Sequence, residues 1–90
     1  MSVTAYHFWS PTCGPCKHIK PAIEQMKEDF PAITWETVNT HDDNKGIARA
    51  LGVQVVPTVV VHKDGVETGR HSGTNVIMYY SILRNALRST

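Results

Sequence analysis

The sequence predicts one α/β domain over residues 1–90, with a four-stranded mixed sheet flanked by three helices in the order βαβαββα. Apolar residues form four strand-like runs and recur at helical spacing in three other segments. Proline and glycine separate these runs, with no repeat or low-complexity segment between them. With 90 residues, 41% of them hydrophobic, the chain can bury one core but not two.

The first three elements form a predicted βαβ unit. Residues 2–9 are rich in β-branched and aromatic side chains and predict a strand. Residues 14–29 predict a helix, with Pro15 tolerated in its first turn and Pro21 expected to kink it. Residues 33–38 alternate as a second strand. A strand–helix–strand unit of this kind is right-handed, so the two strands are expected to be parallel.

A short helix and a third strand follow. Residues 42–44, Asp-Asp-Asn, supply capping side chains for a short helix that runs through Leu51 and ends at Gly52. Residues 53–62 form a β-branched run containing one proline, and we interpret the whole run as a strand.

A hairpin and a last helix complete the chain. Lys63-Asp64-Gly65 predicts a tight turn into a strand over residues 66–71, which makes the last two strands antiparallel. Gly73-Thr74-Asn75 opens the last helix. Its predicted apolar residues are Val76, Ile77, Tyr80, Leu83 and Leu87.

The two cysteines, Cys13 and Cys16, stand where the first strand is followed by the first helix. A helix that begins there directs unpaired N–H groups and the positive end of its dipole at the first sulfur, which stabilises a thiolate. The second sulfur lies one turn away, close enough for a disulfide. With His18 the pair also resembles part of a zinc site, but a structural zinc site needs four ligands and no second Cys or His pair stands at metal spacing. The pattern therefore favours a redox-active dithiol.

Charge and hydropathy argue against several functions. The net charge is +1 with acids and bases dispersed, so neither nucleic acid nor an anionic membrane is expected as a partner. The first apolar run is interrupted by Thr4 and His7 and has no basic lead, which predicts neither a signal peptide nor a membrane span. Two cysteines in a reducing compartment indicate redox or metal chemistry rather than a structural disulfide, and we expect a cytoplasmic monomer.

Residues 9–17, Trp-Ser-Pro-Thr-Cys-Gly-Pro-Cys-Lys, resemble the active-site segment of the thioredoxin family, usually Trp-Ala-x-Trp-Cys-Gly-Pro-Cys-Lys. Pro21 matches the family's helix-kinking proline, Val56-Pro57-Thr58 its cis-proline segment, and Gly73 the glycine beside its substrate groove. The resemblance covers almost the whole chain. The N-terminal strand and helix of full-length thioredoxins have no counterpart, so we expect a short thioredoxin of glutaredoxin size.

The resemblance implies a thioredoxin fold and a thiol–disulfide oxidoreductase that reduces protein disulfides. Cys13 would be the exposed nucleophile and Cys16 the buried resolving thiol, forming a redox-active disulfide with no bound cofactor. NADPH would supply electrons through a flavoprotein thioredoxin reductase. Targets would be disulfide-containing proteins such as ribonucleotide reductase or peroxiredoxin-type enzymes. The substrate-binding residues implied are Trp9, Thr12, Gly14, Pro15, Val55, Val56, Pro57 and Gly73.

Three positions depart from the family's pattern. His7 stands where the family has a buried aspartate that is thought to accept the proton of the second cysteine. The lysine that partners this aspartate is replaced by Thr37 or Val38, and Thr12 replaces the tryptophan before the first cysteine. We hypothesise that His7 relays the proton of Cys16. The alternative is a buried histidine that is hydrogen-bonded for structural reasons.

Two other functions remain open. A glutaredoxin-like enzyme reduced by glutathione suits the chain length, but Gly14-Pro15 replaces the Pro-Tyr or Pro-Phe of that family. Residues 71–74, His-Ser-Gly-Thr, also stand where a glutathione clamp of the Gly-Gly-x-x-Asp type is expected. A non-catalytic subunit could instead dock on a larger enzyme through the same apolar surface.

Overall fold

The computed structural model describes residues 2–88, and its elements follow the predicted order. The strands are β1 (Val3–Trp9), β2 (Ile33–Asn39), β3 (Thr58–Lys63) and β4 (Val66–Ser72). The α-helices are α1 (Gly14–Asp29), α2 (Ile47–Ala50) and α3 (Val76–Leu87), and a 3-10 turn occupies Thr40–Asp42. Within this range no helix combines the length and apolarity that a membrane crossing requires.

The sheet has the strand order β2-β1-β3-β4. β1 and β2 are parallel, as predicted, with His7 opposite Thr37. β3 is antiparallel to both of its neighbours, so Thr58 at its start lies opposite Phe8 near the end of β1 and opposite Ser72 at the end of β4. The loops that follow β1, precede β3 and follow β4 therefore all lie at one edge of the sheet, the edge formed by the carboxyl ends of β1 and β4.

Alternation along β1 places its side chains in two buried clusters, one on each face of the sheet. The cluster under α1 and α3 contains Val3, Ala5, Ile19, Ile23, Met26, Ile33, Val59, Val61, Tyr79, Leu83 and Ala86. The cluster under α2 contains Phe8, Val38, Ala48 and Val60. Helices therefore cover both faces, which confirms the predicted mixed sheet with flanking helices.

The third strand is shorter than predicted, because β3 begins at Thr58 and residues 53–57 lie outside the sheet. Pro57 has no N–H group to donate to a neighbouring strand. At the start of the run, the Val53 N–H donates to the Ala48 carbonyl at 2.9 Å, which keeps this residue with the end of α2. The interpretation of residues 53–62 as one strand was wrong in its first half.

Two helix details also differ from the prediction. Ile77 is 76% exposed, whereas Tyr79 is fully buried in the core. The buried positions of α3, Tyr79, Leu83 and Ala86, share one helical face, and Ile77 lies far round the helix from them. For α2, only the second of the two predicted capping aspartates caps the helix, because Asp42 lies in the 3-10 turn.

Candidate active site

Cys13 is the N-cap residue of α1, and Cys16 lies in the first turn of that helix. The two are joined as a disulfide, with their Cα atoms 5.2 Å apart. The Cys16 N–H donates to the Cys13 Sγ at 3.1 Å. After reduction, this N–H and the positive end of the helix dipole stabilise negative charge on the Cys13 sulfur.

The expected contrast between an exposed and a buried cysteine is small in this disulfide form, because Cys13 is 9% exposed and Cys16 is 5% exposed. A backbone hydrogen bond of 3.2 Å from the Cys13 N–H to the Ser10 carbonyl closes the turn before the helix. Cys13 therefore lies between this turn and the start of α1, with little of its surface accessible to solvent.

The predicted substrate-binding residues fall into two groups around this sheet edge. Thr12, Gly14 and Pro15 are exposed beside the disulfide. Val55 is 57% exposed, and Val56 is half-buried against the cluster under α2. The second group precedes β3, which pairs with β1, so the topology brings both groups to the same edge. Trp9, the remaining residue of the first group, is half-buried.

Pro57 and Gly73 are brought together, although they lie on different loops. The Gly73 N–H donates to the Pro57 carbonyl at 3.0 Å. The Val56–Pro57 peptide bond is cis, and Gly73 has a φ of 109°, a conformation that glycine adopts readily. The loop before β3 and the loop after β4 are therefore tied together beside the dithiol.

Tyr79 adds a second tie that the sequence did not reveal. Its hydroxyl donates to the Gly73 carbonyl at 2.5 Å and lies 3.4 Å from the Pro57 carbonyl. Burial raises the pKa of this phenol to about 12. A tyrosine in an amphipathic helix is consistent with ordinary core packing, and only the position of α3 against the two loops shows where its hydroxyl lies.

The hydroxyl groups of Thr58 and Ser72 also connect the start of β3 with the end of β4. The Thr58 Oγ1 donates to the Val55 carbonyl at 2.6 Å. The Ser72 hydroxyl lies 2.7 Å from the Thr58 Oγ1, to which it donates because the Thr58 proton is already used. These bonds fix the backbone on both sides of the cis peptide bond.

His7 lies on the face of β1 that carries Val3 and Ala5, under α1, and is 6% exposed. Its Nε2 is buried and has no hydrogen-bond partner within residues 2–88. Burial lowers the pKa of His7 to about 4; the positive charge of Lys27 lowers it further, and the negative charge of Glu24 opposes both effects. The imidazole is therefore neutral at pH 7.

A cleft of about 370 Å³ lies between α1 and the ends of β1 and β2. Its lining residues are His7, Trp9, Ser10, Pro11, Cys16, Lys17, Lys20, Glu24, Lys27 and Thr37. Thr37, rather than Val38, is the residue beside His7, because Val38 packs into the cluster on the opposite face. The imidazole and the second sulfur thus border one solvent-accessible space.

His18, which the sequence places near the cysteine pair, is exposed on α1. Among residues 2–88, no group of three or more His, Cys, Asp or Glu side chains is arranged to hold a metal ion.

This chain is similar in sequence and in fold to known proteins of one family. The family model "Thioredoxin" matches residues 3–80. Thioredoxin-2, mitochondrial, of Schizosaccharomyces pombe is 36% identical over 81 residues, covering 90% of this chain and 60% of that protein. Thioredoxin M-type, chloroplastic, of Zea mays is 42% identical over 59 residues, covering 64% of this chain and 35% of that protein. The match thus spans only part of these relatives.

A solved structure shows the same likeness in three dimensions. The structure of Fasciola hepatica thioredoxin matches with a TM-score of 0.81 at 32% sequence identity, covering 92% of this chain and 80% of that one. The fold of this chain is therefore similar to that of a solved thioredoxin structure.

Proposed function

Because this chain belongs to the thioredoxin family, we propose that it is a thiol–disulfide oxidoreductase that reduces protein disulfides. The observation that carries the proposal is the cysteine pair at the start of α1, with the Cys16 N–H donating to the Cys13 sulfur at 3.1 Å. This arrangement supplies a stabilised nucleophile and a second thiol within bonding distance of it.

The reaction is a pair of thiol–disulfide exchanges. The Cys13 thiolate attacks one sulfur of the target disulfide, forms a mixed disulfide and releases the other target sulfur as a thiolate, which takes up a proton. The Cys16 thiolate then attacks the Cys13 sulfur and releases the second target sulfur. Two electrons pass to the target, and the Cys13–Cys16 disulfide of the structure is the product.

Target binding is assigned to the predicted residues around this edge of the sheet. Thr12, Gly14 and Pro15 form one exposed wall, and Val55 forms part of the other. The backbone of Val56 would pair with an extended segment of the target. Trp9, Pro57 and Gly73 complete the set of target-binding residues in this proposal.

For the second exchange, we assign to His7 the role of a proton relay for Cys16. Both residues line the same cleft, and the His7 Nε2 has no hydrogen-bond partner within the described part of the chain, unlike a histidine held for structural reasons. Transfer from a thiol with an ordinary pKa of about 8.5 to an imidazole of pKa about 4 costs about 6 kcal/mol. This cost is smaller than the barrier of roughly 16 kcal/mol that corresponds to a turnover of about 10 per second, so it is compatible with such a turnover.

The partners, the electron source and the location are further parts of the proposal. Electrons would come from NADPH through a flavoprotein thioredoxin reductase, and the targets would be disulfide-containing proteins. A monomer in the cytoplasm suits the dispersed charge and the cysteine content. Gel filtration of the purified protein and imaging of a tagged chain test the last two points; a dimer or an organelle pattern would contradict them.

The deciding experiment is insulin reduction by the purified chain, with either thioredoxin reductase and NADPH or glutathione and its reductase. We expect turnover with the first system and none with the second. Activity only with glutathione would support the glutaredoxin-like alternative. Cys13→Ser should abolish turnover, whereas Cys16→Ser should accumulate a mixed disulfide that mass spectrometry detects. If Cys13→Ser keeps the biological function in cells, the non-catalytic docking role is correct.

The relay role of His7 requires its own test. We expect His7→Ala to lower the rate of the resolving step and to change its pH profile, with little change in the first exchange. His41→Ala is the matched control, because His41 is exposed and does not line the cleft. Identical pH profiles for wild type and His7→Ala would remove the relay role.

A further inference from the structure

Beyond the cysteine pair, the loop ends that form one wall of the site are held by a buried tyrosine. The Tyr79 hydroxyl reaches the carbonyls of both Gly73 and Pro57, at 2.5 and 3.4 Å. Tyr79 itself is fully buried, and the ring of His71 contacts its ring edge at 5.1 Å between centroids. The phenol is therefore fixed by the core on one side and holds two loop carbonyls on the other.

These bonds leave one backbone unit of the wall free. The Val55 carbonyl accepts from Thr58, and the Pro57 carbonyl accepts from Gly73. Within residues 2–88, Val56 makes no backbone–backbone hydrogen bond. Its N–H and C=O thus remain free between two anchored neighbours, which is the arrangement required to pair with an extended peptide.

We propose that Tyr79 is a positioning residue for target binding, which rests on the proposed function of the site. Its hydroxyl holds the Gly73 loop against the Pro57 carbonyl, so that the Val56 backbone is presented to the target in one fixed place. A rigid edge binds an extended target with a smaller loss of conformational entropy than a mobile one. We assign this role to target binding rather than to the exchange of sulfur bonds, because the Tyr79 hydroxyl contacts the two loop carbonyls and neither cysteine.

The neighbouring residue offers a matched control. Tyr80 is also on α3, and its hydroxyl donates to the exposed carboxylate of Asp29 at 2.6 Å, away from the two loops. Tyr79→Phe and Tyr80→Phe therefore delete the same atom from adjacent residues. Only the first deletion affects the backbone beside the dithiol.

The test measures the kinetics of insulin reduction with thioredoxin reductase and NADPH for wild type and both variants. We expect Tyr79→Phe to raise KM by about fivefold, the equivalent of one net hydrogen bond, with kcat within a factor of two. Tyr80→Phe should leave both constants unchanged. Amide hydrogen exchange adds a direct readout, because Tyr79→Phe should speed exchange of the Gly73 N–H.

An unchanged KM together with unchanged exchange of the Gly73 N–H in a folded Tyr79→Phe protein would overturn the proposal. A fivefold loss of kcat at constant KM would also overturn it. If that variant does not fold, Ser72→Ala decides the matter, because it removes the other hydroxyl that joins the same loop ends. It should raise KM in the same direction, and an unchanged KM would overturn the proposal. Failure of the proposed function is a separate result, in which wild type itself reduces no insulin.

Discussion

His7 on β1 and Cys16 on α1 line the same cleft, where the His7 Nε2 is buried without a hydrogen-bond partner among the residues described. The cleft that Cys16 lines therefore contains a neutral, unpaired imidazole, together with the charged side chains of Lys17, Lys20, Glu24 and Lys27 on α1. Thr37, directly across from His7 on β2, is also uncharged. Protonation of His7 would therefore place a buried positive charge in the cleft that Cys16 also lines.

Acid should destabilise the protein through His7. Its pKa is about 4 when folded and 6.5 when exposed, so the unfolded chain binds a proton in this window that the folded chain does not. The contribution of His7 to the free energy of unfolding is therefore fully present above pH 6.5, and it falls by about 3 kcal/mol as the pH decreases to 4. Urea unfolding at several pH values measures this. His7→Leu should lack this slope, whereas His41→Leu should retain it; an equal slope in all three proteins would contradict the assignment.

Asp43 should stabilise α2 more than its neighbour Asp42. The Asp43 carboxylate accepts hydrogen bonds from the N–H groups of Ile47, Ala48 and Arg49, at 2.8, 3.1 and 3.3 Å. Asp43→Ala should lower the free energy of unfolding by about 1–2 kcal/mol, the range for loss of a helix cap. Asp42→Ala is the control and should change it by less than about 0.5 kcal/mol. Equal losses of unfolding free energy for Asp43→Ala and Asp42→Ala would contradict the assignment of the cap to Asp43.

The phenol of Tyr79 should ionise only at high pH. Burial raises its pKa to about 12, from the ordinary value of 10.0. The folded phenol therefore keeps its proton where an unfolded one loses it, so stability decreases as the pH rises from 10 to 12. Near-ultraviolet titration of tyrosinate absorbance follows the three tyrosines. Tyr79→Phe should remove the final transition; its persistence in that variant would assign it to another residue.

Gly73 should resist substitution although the space around it is open. An added Cβ would meet no atom within 4 Å, but the φ of 109° is strained for any other residue. Gly73→Ala should therefore destabilise the fold by about 1–3 kcal/mol. Gly14, which has the same open space and no positive φ, is the matched position, and Gly14→Ala should be neutral or stabilising in thermal unfolding. A neutral Gly73→Ala would mean that the loop relaxes without cost.

Local chemistry was sufficient to predict much of this structure. The predicted helix over residues 14–29 has the observed limits, Gly14–Asp29, since Pro15 stands in its first turn and the Phe30-Pro31 pair follows its end. The hairpin follows from Lys63-Asp64-Gly65, where Asp64 and Gly65 both have positive φ. The cysteine spacing likewise specified the dithiol, because one helical turn brings the two sulfurs together.

Long-range packing decided the rest. The β-branched run of residues 53–57 resembles a strand, yet it stays outside the sheet because its partners are α2 and the loop after β4. Strand register placed Thr37 rather than Val38 beside His7, and periodicity within one strand carries no information on that pairing. The carbonyl partners of Tyr79 lie 6 and 22 residues away along the chain. Residue type and spacing therefore predict the elements and the reaction, whereas contacts between distant segments set the surroundings of the dithiol.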